Sequence, residues 1–94
     1  MKRRVVITGI GAVTPLGNDI GSNWSAAIAG KCGIAAIRGF EGEDLPISVA
    51  GQVKGFDPLA AGLSAADVRH YDIYCQYAVA AALEAMADSG LVSG

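Results

Sequence analysis

The sequence predicts the opening portion of an α/β layered fold, incomplete in 94 residues. Three observations carry that expectation. Residues 4–8, Arg-Val-Val-Ile-Thr, form a β-branched run apolar on both faces, the pattern of a central parallel strand covered by helices on both sides. The stretch from Ile73 to Ala87 is apolar around most of a helical circumference, the pattern of a buried helix. Finally, 52% of the residues are hydrophobic and 17% charged, where an average soluble domain has roughly 25% charged. A body this small buries only about two-thirds of the surface its unfolded chain exposes. So much apolar surface points to burial against a partner or within a larger fold.

Each element follows in order. After the first strand the chain turns through Gly9, Gly11 and Gly17. Asn18 or Asp19 is placed to cap a helix carrying Ile20, Trp24 and Ile28 on one face, and Gly30 or Gly33 to end it. Residues 38–46, RGFEGEDLP, read as an acidic loop punctuated by Gly and Pro. The following ISVAGQVKGF alternates, with Ile47, Val49 and Val53 on one side and Ser48, Gln52 and Lys54 on the other. That pattern predicts a half-solvated strand, antiparallel or near an edge. Asp57-Pro58 starts a turn. Ser64-Ala-Ala-Asp67 has the form of a capping box, opening a short helix that the chain leaves around His70. In the last element Asp72, Gln76, Ala80, Glu84 and Asp88 recur at every fourth position, so the polar groups line one narrow seam. Ile73, Tyr77, Val79, Ala81, Ala82, Leu83 and Met86 cover the rest, and Gly90 supplies a left-handed stop. No repeat or low-complexity segment interrupts this order, and the first strand calls for parallel neighbours that the two credible strands do not supply.

Composition excludes several classes of function. A net charge of −2 and an isoelectric point near 5.1 give no basic surface for nucleic acid. Lys2, Arg3 and Arg4 form the only basic cluster. With the apolar residues 5–13 they have the outline of a secretory signal, but Thr8, Gly9 and Gly11 break the apolar run and its β-branched start reads better as a strand. The longest apolar helical stretch contains Gln76 and Glu84 and is shorter than the ~20 residues a membrane span requires. A cytoplasmic protein without membrane or nucleic-acid partners is the expectation. Cys32 and Cys75 lie outside any C-x-x-C spacing and His70 is the lone histidine, so neither a zinc site nor a disulfide framework is expected.

The glycines of VVITGIGAVTPLGND raise the question of a phosphate cradle. A dinucleotide fingerprint wants G-x-G-x-x-G, whose third glycine lets the helix pack close and turn its N-terminus to the pyrophosphate. Here Thr14 holds that position, Pro15 delays the helix, and no acidic residue ends a second parallel strand about twenty residues on. The spacing T-G-x-x-x-G-x-G fails at Val13 and Pro15. Gly9, Gly11 and Gly17 therefore read as permitting positive φ or tight backbone approach, with Pro15 stiffening the bend and no cofactor implied. A nucleotide-dependent oxidoreductase is the alternative this disfavours. Cys32 follows Lys31, which could lower its pKa, yet it reads better as a small hydrophobe near a helix end. Cys75 and His70 lie five residues apart, on different helical faces. Asp72, at the head of the long helix, reads as a cap or dipole partner. No catalytic constellation is predicted.

Taken together, KRRVVITGIGAVTPLGND, the Trp24 helix ending in AGKCGI, VAGQVKGFDP and YDIYCQYAVAAALEAMADSGL resemble, in order and spacing, the start of the β-ketoacyl-acyl-carrier-protein synthase II family. These are thiolase-fold condensing enzymes of bacterial fatty-acid synthesis, and the resemblance covers essentially the whole chain. It implies a five-layered αβαβα body of two similar halves, a homodimer, and extension of an acyl chain by two carbons with acyl carrier protein as partner. In that family a cysteine thiolate takes the acyl group, and malonyl carrier protein decarboxylates and attacks the thioester with the help of two histidines. The family's cysteine stands at a strand-to-helix elbow beyond residue 94, and its histidines later still. Neither Lys31-Cys32-Gly33 nor Tyr74-Cys75-Gln76 has that context, so no catalytic, cofactor or metal residue is carried over. Residues 1–94 are expected to form a partial N-terminal domain, structural in role, inactive alone, and poorly folded or self-associating when isolated. In bacterial relatives, basic residues just before the long helix help dock the acidic carrier protein. In Ser64-Ala-Ala-Asp-Val-Arg-His this leaves Arg69, with His70 beside it, as the docking candidate. A non-catalytic chain-length subunit of the same fold is the other reading, distinguished by the residue at the elbow.

Overall fold

The computed structural model describes residues 2–38 and 46–91. The chain divides into two compact units, one of Met1–Ala12 with Asp57–Gly94 and one of Val13–Phe56.

In the first unit, residues 57–63 make a single helical turn. Asp57 Oδ1 accepts from the N–H groups of Leu59 and Ala60 at 3.1 and 3.3 Å, and the Leu63 N–H closes the turn on the Pro58 carbonyl at 3.0 Å. The expected turn at Asp57-Pro58 is therefore present, and it buries Leu63. Helix α1 belongs to the second unit and spans Ile20–Ile28. Helix α2, Ala65–His70, opens on the predicted capping box: the Asp67 N–H donates to Ser64 Oγ at 3.1 Å, and the Ser64 N–H donates to Asp67 Oδ2 at 3.0 Å. It ends at Tyr71, where the backbone becomes extended. Helix α3 then runs Ile73–Ser89 and stops at Gly90, whose φ of 76° is the left-handed conformation foreseen for it. Gln76, buried at 7% exposure, donates to the carbonyls of Tyr71 and Val68 at 3.0 and 3.4 Å and so ties α3 to the end of α2.

In the second unit, the 14–17 segment closes as a tight turn with reciprocal backbone bonds, Thr14 N to Gly17 O at 2.9 Å and Gly17 N to Thr14 O at 3.1 Å. Pro15 occupies the turn position its fixed φ favours. Asp19, one of the two residues expected to cap α1, does so, accepting from the Ser22 N–H at 2.7 Å. Gly30, with φ 71°, ends the helix: its N–H donates to the Ala27 carbonyl, and that of Lys31 to Ala26. Strand β1, Ile34–Ala36, pairs antiparallel with β2, Val49–Gly51, with Ala35 opposite Ala50. The side chain of Gln52 prolongs the pairing, since Oε1 accepts from the Arg38 N–H at 2.9 Å and Nε2 donates to the Arg38 carbonyl at 3.1 Å.

Several expectations need correction. Residues 4–8 join no ladder among the described residues, and Val5 and Ile7 stand 95% and 83% exposed. A strand apolar on both faces has no stable place without neighbours, and among the described residues of its own unit there is no strand to pair with. The predicted ten-residue strand contracts to Val49–Gly51 and leaves Ile47 and Val49 exposed. It is antiparallel as expected, but its partner β1 carried no predicted assignment. The Ile20, Trp24, Ile28 face of α1 does not form a core. Asn23 and Ala26 are buried instead, while Trp24 is 66% exposed. Asp72 does hold the N-cap position of α3, consistent with its reading as a cap or dipole partner, but makes no side-chain cap bond. Of the predicted acidic loop, residues 39–45 lie outside the described residues. Helices and strands are both present, and among the described residues the sheet is two-stranded and antiparallel, too short to carry the expected layers.

The largest reversal concerns α3. Ile73, Tyr74, Leu83 and Met86 on its apolar circumference are exposed, whereas Gln76 and Ala80 of the polar seam are buried. Within the seam Gln76, Glu84 and Asp88 hydrogen-bond to backbone of their own unit, while Asp72 and Asp88 at its two ends stay exposed.

Candidate functional site

The stretch that resembles a phosphate loop is fastened to α3. Ala12 N–H donates to Glu84 Oε1 at 3.0 Å and Ile10 N–H to Asp88 Oδ2 at 3.1 Å. Two amides two residues apart thus meet two carboxylates one helical turn apart, the match of strand and helix repeats that brings both contacts onto one line. Gly11, between these two amides, and Gly9, just before them, lie directly on the helix backbone. A Cβ on Gly11 would sit 1.9 Å from the Ala81 carbonyl oxygen, and one on Gly9 would sit 2.2 Å from that of Ala85. Neither glycine has positive φ, so close approach alone accounts for them. A phosphate cradle needs inward-facing N–H groups left for the anion. Here those of Ile10 and Ala12 are already given to carboxylates, which would repel one.

The turn that follows is knotted around Asn23. Its Nδ2 donates to the carbonyls of Gly17 and Asp19 at 3.0 and 2.7 Å, and its Oδ1 accepts from the Thr14 hydroxyl. Thr14 Oγ1 also accepts from the Leu16 N–H at 3.1 Å. At 8% exposure, Asn23 is a buried amide whose donors and acceptor all have partners. Lys54 adds a bond from Nζ to the Pro15 carbonyl at 3.3 Å, and Asn18 Nδ2 donates to the Lys54 carbonyl at 2.9 Å. Asp19, capping α1, has its carboxyl held below the ordinary value of 3.8, first by the Ser22 backbone hydrogen bond and then by the Ser22 side chain. Thr14, the residue that breaks the glycine fingerprint, is therefore an anchor of the turn.

Sequence reasoning missed Asn23. The signal was present: an Asn in the first turns of a helix has low intrinsic propensity, and a hydrogen-bonding task near the N-terminus accounts for its use there. It also missed Glu84 and Asp88 as acceptors for distant backbone, reading them only as a seam.

Arg69, the docking candidate, is exposed in the last turn of α2, and His70 beside it is exposed too. Cys32 is exposed, its Sγ 3.6 Å from the Ile34 carbonyl that it approaches as a donor, and Cys75 is half-buried on α3. The neighbouring Cys75 raises the pKa of the Tyr74 phenol, chiefly through a side-chain hydrogen bond. In the second unit an apolar concavity of about 620 Å³ is lined by Pro15, Leu16, Trp24, Ala27 and Ile34 among others. Among the described residues no group of His, Cys, Asp and Glu is arranged to hold a metal, and no helix is long and apolar enough to cross a membrane. The described arrangement holds the glycine stretch on α3 and the 14–17 turn on Asn23, and leaves Arg69 exposed at the end of α2.

Comparison with known proteins gives this scaffold a family. Residues 2–94 match the beta-ketoacyl synthase N-terminal domain, and the chain belongs to that family, which carries an α/β fold. Among its relatives are proteins named 3-oxoacyl-[acyl-carrier-protein] synthase 2. That of Coxiella burnetii is 44% identical over 90 residues, 96% of this chain and 22% of the relative. That of Vibrio cholerae matches to the same extent, and that of a Synechocystis species is 37% identical over 91 residues, 97% of this chain and 22% of the relative. The chain thus spans about a fifth of the length of these relatives. The resemblance read from the sequence motifs is borne out across the chain.

Proposed function

We propose that the chain is the N-terminal segment of a 3-oxoacyl-[acyl-carrier-protein] synthase. That acyltransferase joins an acyl thioester to malonyl carrier protein in fatty-acid elongation. The reaction forms one carbon–carbon bond, expels the malonyl carboxyl as carbon dioxide and frees the thiol that held the acyl group. The observation that carries this reading is the 44% identity, over 96% of the chain, to relatives bearing that name. In the whole protein the segment is structural: it contributes a core strand at residues 4–8, the glycine approach to α3 and the Asn23 turn, and it holds no catalytic residue. The exposure of Val5, Ile7, Trp24 and Leu83 supports this, because in a layered αβαβα body such surfaces are covered by further elements. The protein works in the cytoplasm as a homodimer, and Arg69 helps to seat the acidic carrier protein. The test is to incubate the full-length protein with acyl and malonyl carrier proteins. A 3-oxoacyl carrier protein released with carbon dioxide is expected, and a folded, carrier-binding protein that makes none would overturn the reading.

A further inference from the structure

We draw no further inference here: the strongest candidate, the apolar concavity of about 620 Å³ where the Trp24 face of α1 meets the 14–17 turn and β1, is an unpartnered apolar surface, and nothing in the structure shows what covers it.

Discussion

Ala12 donates its backbone N–H to the carboxylate of Glu84 at 3.0 Å, across 72 residues of sequence. Together with the bond from Ile10 to Asp88, it lays the glycine stretch along α3 in a single register. Adding a methyl group between those two bonds is therefore the sharpest test of the packing. Gly11→Ala would drive a Cβ to 1.9 Å from the Ala81 carbonyl oxygen, a clash with helix backbone that no rotamer relieves. A loss of about 3 kcal/mol or more is expected in the full-length protein, at the upper end of overpacking costs. Gly21→Ala is the control, since its Cβ would meet only Asp19 Oδ1 at 3.6 Å and would improve the propensity of α1. Denaturant unfolding of the two variants should separate them clearly, and equal stability would refute the close approach.

Asn23 should behave as the centre of a network. Asn23→Ala leaves the Gly17 and Asp19 carbonyls and the Thr14 hydroxyl without their shared partner, at a cost of about 2 kcal/mol or more. Thr14→Val removes one arm of that network, together with the bond from the Leu16 N–H, and should cost less. A double-mutant cycle on this pair should give a coupling of about 0.5 kcal/mol or more, whereas additive effects would show that the two residues act independently.

The local features were legible in the sequence because they are satisfied within a few residues. The Asp19 cap, the Ser64–Asp67 box, the turn after Asp57 and the Gly30 and Gly90 stops all rest on bonds between near neighbours. The direction of the α3 seam was not legible, because Glu84 and Asp88 bond backbone more than 70 residues away. Strand β1 escaped notice since Ile-Ala-Ala carries neither alternation nor β-branched density, and its register comes from Val49–Gly51 and the Gln52 side chain. At the candidate site the sequence shows that Thr14 and Pro15 depart from the glycine fingerprint, and the structure shows that they build the 14–17 turn.

Acid should loosen the start of α1. Because the folded pKa of Asp19 lies below the ordinary 3.8, its contribution is fully present above that value and is lost as pH falls through the lowered folded value. Protection of the Ser22 amide, followed by hydrogen exchange and corrected for intrinsic rate, should fall over that acid range. In Asp19→Asn, whose cap carries no charge, this part of the pH dependence should be absent. A parallel fall in both proteins would assign the effect to other carboxylates.

Arg69→Glu should weaken use of the carrier protein without harming the chemistry. In the full-length protein a rise in KM for carrier-bound substrate of about fivefold, equivalent to ~1 kcal/mol, is expected with kcat nearly unchanged. The difference from wild type should shrink at high salt. An unchanged KM at low salt would remove Arg69 from the docking surface.

On the function proposed above, the nucleophile of the full-length condensing enzyme is neither Cys32 nor Cys75. Mass spectrometry of the full-length protein carrying both Cys32→Ala and Cys75→Ala, after incubation with acyl carrier protein, tests it most directly. A covalent acyl adduct formed to the same extent as in the unsubstituted protein is expected. Loss of the adduct in a variant that remains folded would instead place the nucleophile within this segment.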